Sequence, residues 1–130
     1  MQSSHVKDYM EKANIFIATS GKKEAWGAVI NEAMNSACAI VANEKIGSVP
    51  FLIGNNDRGF MYINYNDLQN KVKKLIEDKE LRDKFSKNAY KYITEKWTES
   101  IAAENLIKLF EAVIEGKEAD IKEGPASKVG

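Results

Sequence analysis

Apolar residues fall along this chain in two kinds of run. The segments Asn14-Ile15-Phe16-Ile17-Ala18-Thr19 and Ala39-Ile40-Val41-Ala42 are continuous and rich in β-branched residues at their centres. Runs of that kind suit strands covered on both faces, as in a parallel sheet. Between them Val29, Ile30, Ala33, Met34 and Ala37 recur at spacings of three and four, which predicts a helix over 26–37 with one buried stripe. Strand, helix and strand within about thirty residues make a βαβ unit, whose parallel strands cross over right-handed.

The rest of the pattern builds around that unit. Val6 to Met10 reads as a short helix ending near Lys12, and Ser20-Gly21 stops the first strand. After Gly47 a short helical turn over Val49 to Ile53 is expected, with Pro50 tolerated in its first turn. Asn55-Asn56-Asp57-Arg58-Gly59 is turn chemistry, and Phe60-Met61-Tyr62-Ile63 is a third strand. From Asn66 the chain becomes helical. Leu68, Val72, Leu75 and Ile76 form one stripe, Leu81, Phe85, Ala89, Tyr92 and Ile93 the next, and Ala102, Leu106, Leu109, Phe110 and Val113 the last. Residues 116–130 have few apolar positions and mixed charge, so a flexible tail is expected after a domain over 1–115. The fold class is α/β: a partial Rossmann-like parallel sheet of about three strands, with flanking helices and a helical C-terminal portion. The first strand has no visible N-terminal neighbour. Its edge is expected to be covered by a second copy, in a homo-oligomer, or by a missing N-terminal portion, because open apolar edges are a liability.

Composition narrows the partners. The 130 residues, 44% hydrophobic, are enough for about one domain. Nineteen basic and nineteen acidic side chains cancel, so no global field draws nucleic acid or an anionic membrane. Any anion must be captured locally. The single cysteine, Cys38, lies in an apolar run and reads as a small buried hydrophobe, which excludes a disulfide framework or a multi-cysteine metal site. The apolar runs fall short of the ~20 residues of a membrane span. The chain is expected in the cytoplasm, either free or peripheral at the inner membrane face.

Candidate chemistry concentrates at the first strand-to-helix junction. Glu24 and Glu32 frame Glu24-Ala25-Trp26-Gly27-Ala28-Val29-Ile30-Asn31-Glu32. A helical rise of ~1.5 Å per residue separates them by ~12 Å at most along the axis. They cannot share one proton or one metal, but they can grip two ends of an extended ligand. In open parallel sheets ligands sit beyond the carboxyl ends of the strands, where N–H groups at a helix start hold phosphate. Gly27 lets a ligand approach the backbone, and the N–H groups of Gly27, Ala28 and Val29 face an anion such as a diphosphate. Glu24 and Glu32 accept from hydroxyls on either side of it, a pattern that describes a nucleotide sugar. Trp26 beside Gly27 is expected to meet the donor sugar; the blander alternatives are a dipole-favoured glutamate before the helix, a solvated glutamate within it and a packing role for Trp26. His5, Lys22, Lys23, Lys45 and Ser48 are most simply surface or loop residues.

The segments Ala13 to Ser20, Glu24 to Met34 and Ile46 to Ile53 together resemble the C-terminal donor-binding domain of retaining group 1 glycosyltransferases of the GT-B architecture. The resemblance runs over roughly residues 5–114. It implies that Glu24 contacts hydroxyls of the donor sugar, that Glu32 binds the ribose hydroxyls, and that the backbone of Gly27 and Ala28 lies beside the sugar and diphosphate. It also implies glycosyl transfer from a nucleotide diphosphate sugar with retention, usually without a bound metal, and no further cofactor is expected. Ala25 and Trp26 stand where glycine and phenylalanine are more common, which leaves the sugar open. The family's arginine–lysine pair that neutralises the leaving diphosphate precedes the matching region, and the N-terminal acceptor domain is not represented. The chain alone is therefore expected to bind donor without turning it over, because charge stabilisation is usually the largest catalytic contribution. The alternative is a non-catalytic α/β half-domain that self-associates or docks through its open sheet edge.

Overall fold

A computed structural model describes residues 3–21, 25–54 and 56–128. Helix α1 (Ser3–Lys12) leads into strand β1 (Ile15–Ala18), then α2 (Ala28–Asn35), β2 (Ala39–Asn43), the short α3 (Val49–Leu52) and β3 (Phe60–Tyr62). Three helices follow: α4 (Tyr65–Glu77), α5 (Lys79–Lys96) and α6 (Glu99–Ile114). The strands form one parallel sheet in the order β1-β2-β3, with Ile15 opposite Ala39 and Val41 opposite Phe60. The α/β class, the three strands and the helical C-terminal portion expected from the pattern are all present.

The continuous apolar run of β2 is explained by two cores on its two faces. Ile40 and Ala42 point into a cluster with Met10 of α1, Ile30, Ala33 and Met34 of α2, and Leu52 of α3. Ala39 and Val41 point the other way, toward Tyr62, Leu75 of α4 and Phe85 of α5. Phe60 meets Phe85 edge to face, with ring centroids 4.8 Å apart. Helix α5 joins the two cores, since Ala89 and Ile93 belong to the first cluster while Phe85 belongs to the second. Each large side chain so buried contributes about 1.5–3 kcal/mol.

The boundaries of α2 are tighter than its periodicity suggests. It starts at Ala28 because Gly27 is left-handed (φ 79°, ψ 59°). It ends because Ala37 also takes a positive φ of 56°. Cys38 N donates to Ala33 O and Ala37 N to Met34 O, the double closure of a Schellman turn. Ala37 therefore leaves the buried stripe and is exposed.

The C-terminal portion also departs from its pattern. On α6, Leu106, Phe110 and Val113, expected in a buried stripe, are exposed together with Ile107 and Ile114, and Asn105 is the buried residue instead. From Lys117 to Lys128 there is neither helix nor strand, yet the segment expected as a flexible tail folds back on α5 and α6. Asn105 Nδ2 donates to the carbonyls of Glu123 and Pro125 at 3.1 and 2.9 Å, Lys96 pairs with Glu123 at 3.0 Å, and Ile121 is buried. Bonding from one asparagine to two backbone carbonyls carries no periodic signal, which is why the sequence pattern misses it.

Candidate functional site at the carboxyl edge of the sheet

Parallel strands bring all three carboxyl ends, Ala18, Asn43 and Tyr62, to one edge, and the loops after β1 and β2 meet there. The left-handed Gly27 turns the chain into α2 at that edge; a side chain in that conformation would cost about 1–2 kcal/mol. Among the described residues no side chain caps α2. Ile30 N already donates to Gly27 O, so the earlier N–H groups, those of Ala28 and Val29, have no intrahelical acceptor. They sit at the positive end of the helix dipole, the arrangement that binds anions.

The turn ahead of α2 is held from several sides. The Trp26 ring lies against Phe51 and Trp97, with centroids 5.5 and 5.4 Å away. Its Nε1–H donates to Asn31 Oδ1 at 3.0 Å. Its carbonyl accepts from Ser48 N at 2.9 Å. Gly47 passes so close to this turn that an added Cβ would overlap the Ala25 carbonyl oxygen.

Glu32 lies on the second turn of α2, about 6 Å along the axis from Ala28. It is exposed and faces α1 across a cavity of ≈ 760 Å³, also lined by Val6, Lys7, Met10, Glu11 and Asn35. Its carboxylate makes no hydrogen bond or ion pair among the described residues. Glu24, Lys22 and Lys23 lie outside the described residues. Lys45 is exposed at the same edge, whereas Ser48 is wholly buried, so it is not loop decoration. His5 is exposed on α1.

Two other polar groups near this framework are structural. Asp67 accepts from Lys71 and from Ile63 N at 3.0 Å each, and these bonds, led by that to Lys71, hold its carboxyl below the usual carboxylate range. They fix the exit of β3 into α4. The Cys38 thiol donates to Met10 O at 3.2 Å in the core, where burial pushes its pKa up. Among the described residues no group of three His, Cys, Asp or Glu side chains could hold a metal, and no helix is long and apolar enough to cross a membrane. Asn31 and Gly47 are the site residues that sequence reasoning did not find. The role of Gly47 depends on tertiary approach to residues 25–26, and that of Asn31 on the turn that folds the Trp26 indole back onto α2, neither of which spacing signals.

A three-stranded parallel sheet with a glycine-led helix start at its carboxyl edge defines a Rossmann-like α/β domain. The family described as glycosyl transferases group 1 matches residues 1–92, and the chain belongs to that family. Among solved structures it is similar to the C-terminal domain of a glycosyl transferase group 1 family protein, LpcC, from Francisella tularensis. The two are 28% identical with a TM-score of 0.62 over 73% of this chain. The chain spans about half, 49%, of that structure's length. No curated protein sequence matches.

Proposed function

We propose that this chain is the donor-binding portion of a glycosyltransferase that moves a glycosyl group from a nucleotide diphosphate sugar to an acceptor with retention. The observation that carries it is the uncapped start of α2 at the carboxyl edge with Glu32 about 6 Å further along the helix. The N–H groups of Gly27, Ala28 and Val29 hold the diphosphate, and Glu32 accepts from the ribose hydroxyls. Glu24 accepts from the donor sugar. The turn at Trp26 and Gly27 meets the sugar through its backbone, since the Trp26 ring and N–H are engaged by Phe51, Trp97 and Asn31. Donor binding, and not turnover, is assigned to these 130 residues.

Titration with uridine and guanosine diphosphates, followed through tryptophan fluorescence, tests this. One of the two nucleotides quenches or shifts the emission of the wild-type chain, and Glu32→Ala weakens that response about tenfold or more. Silence of the wild type toward both, or an unchanged titration in Glu32→Ala, sinks the assignment.

One observation favours a second function, self-association. Among the described residues β1 is paired on one side only, and its Ile15-Phe16-Ile17-Ala18 carries none of the charges or prolines that guard sheet edges. Light scattering on the 130-residue chain checks this: a dimer is expected, and a monomer across the concentration range rules it out.

A further inference from the structure

The turn that precedes α2 carries three independent constraints on a single residue. Tilted packing against Phe51 and Trp97, at interplanar angles of 43° and 42°, holds the Trp26 ring between them. The Ser48 N–H fixes its backbone carbonyl. The third constraint comes from inside α2: Asn31 Oδ1 accepts the indole N–H at 3.0 Å. Ring packing alone leaves the indole free to slide between its neighbours, whereas a directed bond to the N–H end does not.

We propose that Asn31 is a positioning residue for the donor site. By anchoring the Trp26 indole it holds residues 25–27 in the shape that aims the Gly27, Ala28 and Val29 N–H groups at the diphosphate. The assignment rests on the donor-binding function proposed above. Asn31 does not touch the donor; its neighbour Glu32 projects from a different side of α2, toward α1. Holding the turn in its bound shape before the ligand arrives avoids the ordering cost otherwise charged to binding. Removing the acceptor leaves a half-buried indole N–H unsatisfied, and the turn relaxes to hydrate it.

Amide hydrogen exchange on the full chain tests the clamp without a ligand. The reporters are Ser48 N–H, bonded to Trp26 O, and Ile30 N–H, bonded to Gly27 O. Asn31→Leu, similar in size but without an acceptor, is expected to speed both about tenfold while the β2 amides keep wild-type protection. Trp26→Phe, which keeps an aromatic ring between Phe51 and Trp97 and removes the donor, is expected to do the same, and the double variant to add nothing further. Wild-type exchange at Ser48 and Ile30 in either folded single variant overturns the proposal. Titration of Asn31→Leu with uridine and guanosine diphosphates then carries the clamp to the site, with a loss of at least fivefold expected. Retained affinity alongside loosened amides refutes the positioning role. A wild type that binds neither nucleotide instead removes the donor-binding assignment, while the exchange result still decides the clamp.

Discussion

The backbone N–H of Ser48 donates to the carbonyl of Trp26 at 2.9 Å, so the loop leaving β2 is bonded to the turn that starts α2. Gly47 makes that approach possible, because any side chain there would collide with the Ala25 carbonyl oxygen, a backbone atom with no rotamer to change. Gly47→Ala is expected to destabilise the chain by roughly 1–3 kcal/mol, the usual cost of overpacking. Urea denaturation with an unchanged slope measures this. A midpoint equal to wild type contradicts the close contact.

Arg58 is buried under the C-terminal end of α3. Its Nε donates to Leu52 O at 2.7 Å, and its guanidinium lies 3.7 Å from the Tyr92 ring centroid. Arg58→Met leaves a buried carbonyl unsatisfied and removes the cation–π contact, a loss of roughly 2–3 kcal/mol. Arg58→Lys recovers only part of it, since an ammonium cannot reproduce a flat fork stacked on the ring. Denaturation midpoints ordered wild type, lysine, methionine are the expected result.

Ala37 closes α2 at a φ of 56°, a position that glycine usually fills. Ala37→Gly is expected to stabilise by about 0.5–1 kcal/mol, the left-handed strain relieved less the added freedom of the unfolded chain. A higher urea midpoint checks it, and a lower one refutes the strain.

Cys38 supplies a pH-dependent prediction. Its thiol pKa is raised above the ordinary 9.0 by burial. Below that value the thiol is neutral in both folded and unfolded chains, and its contribution to stability is complete. As pH climbs past 9.0 the unfolded chain ionises first, so stability is lost toward the higher folded value. The wild type should therefore lose more stability than Cys38→Ala between neutral and strongly alkaline pH. In native protein the thiol should also resist alkylation until denaturant is added.

Much of this arrangement is legible in the residues themselves. The unbroken Ala39-Ile40-Val41-Ala42 run announces a strand with a core on each face, and the glycine before an apolar helical stripe marks the start of α2 at the carboxyl edge. Glu32 falls on the second turn of α2, where spacing alone puts it. What is not legible depends on approach between segments distant in sequence. The rings of Phe51 and Trp97 that hold Trp26, the glycine at 47 and the bonds of Asn105 to the C-terminal segment have no periodic trace. Ala37 is hidden for a different reason: alanine fits the helical stripe by type, and only the backbone shows that it has turned left-handed.

The ribose contact proposed for Glu32 is the element of the donor-binding proposal most open to test, and a double-difference titration isolates it. Uridine or guanosine diphosphate, whichever binds, is compared with its 2′-deoxy form on the wild-type chain and on Glu32→Ala. A hydroxyl bonded to a carboxylate is worth about 1.5–3 kcal/mol, so the wild type should bind the deoxy form roughly tenfold or more weakly. Glu32→Ala should bind both forms within about twofold of each other. Equal discrimination by the two proteins would contradict a ribose-binding Glu32.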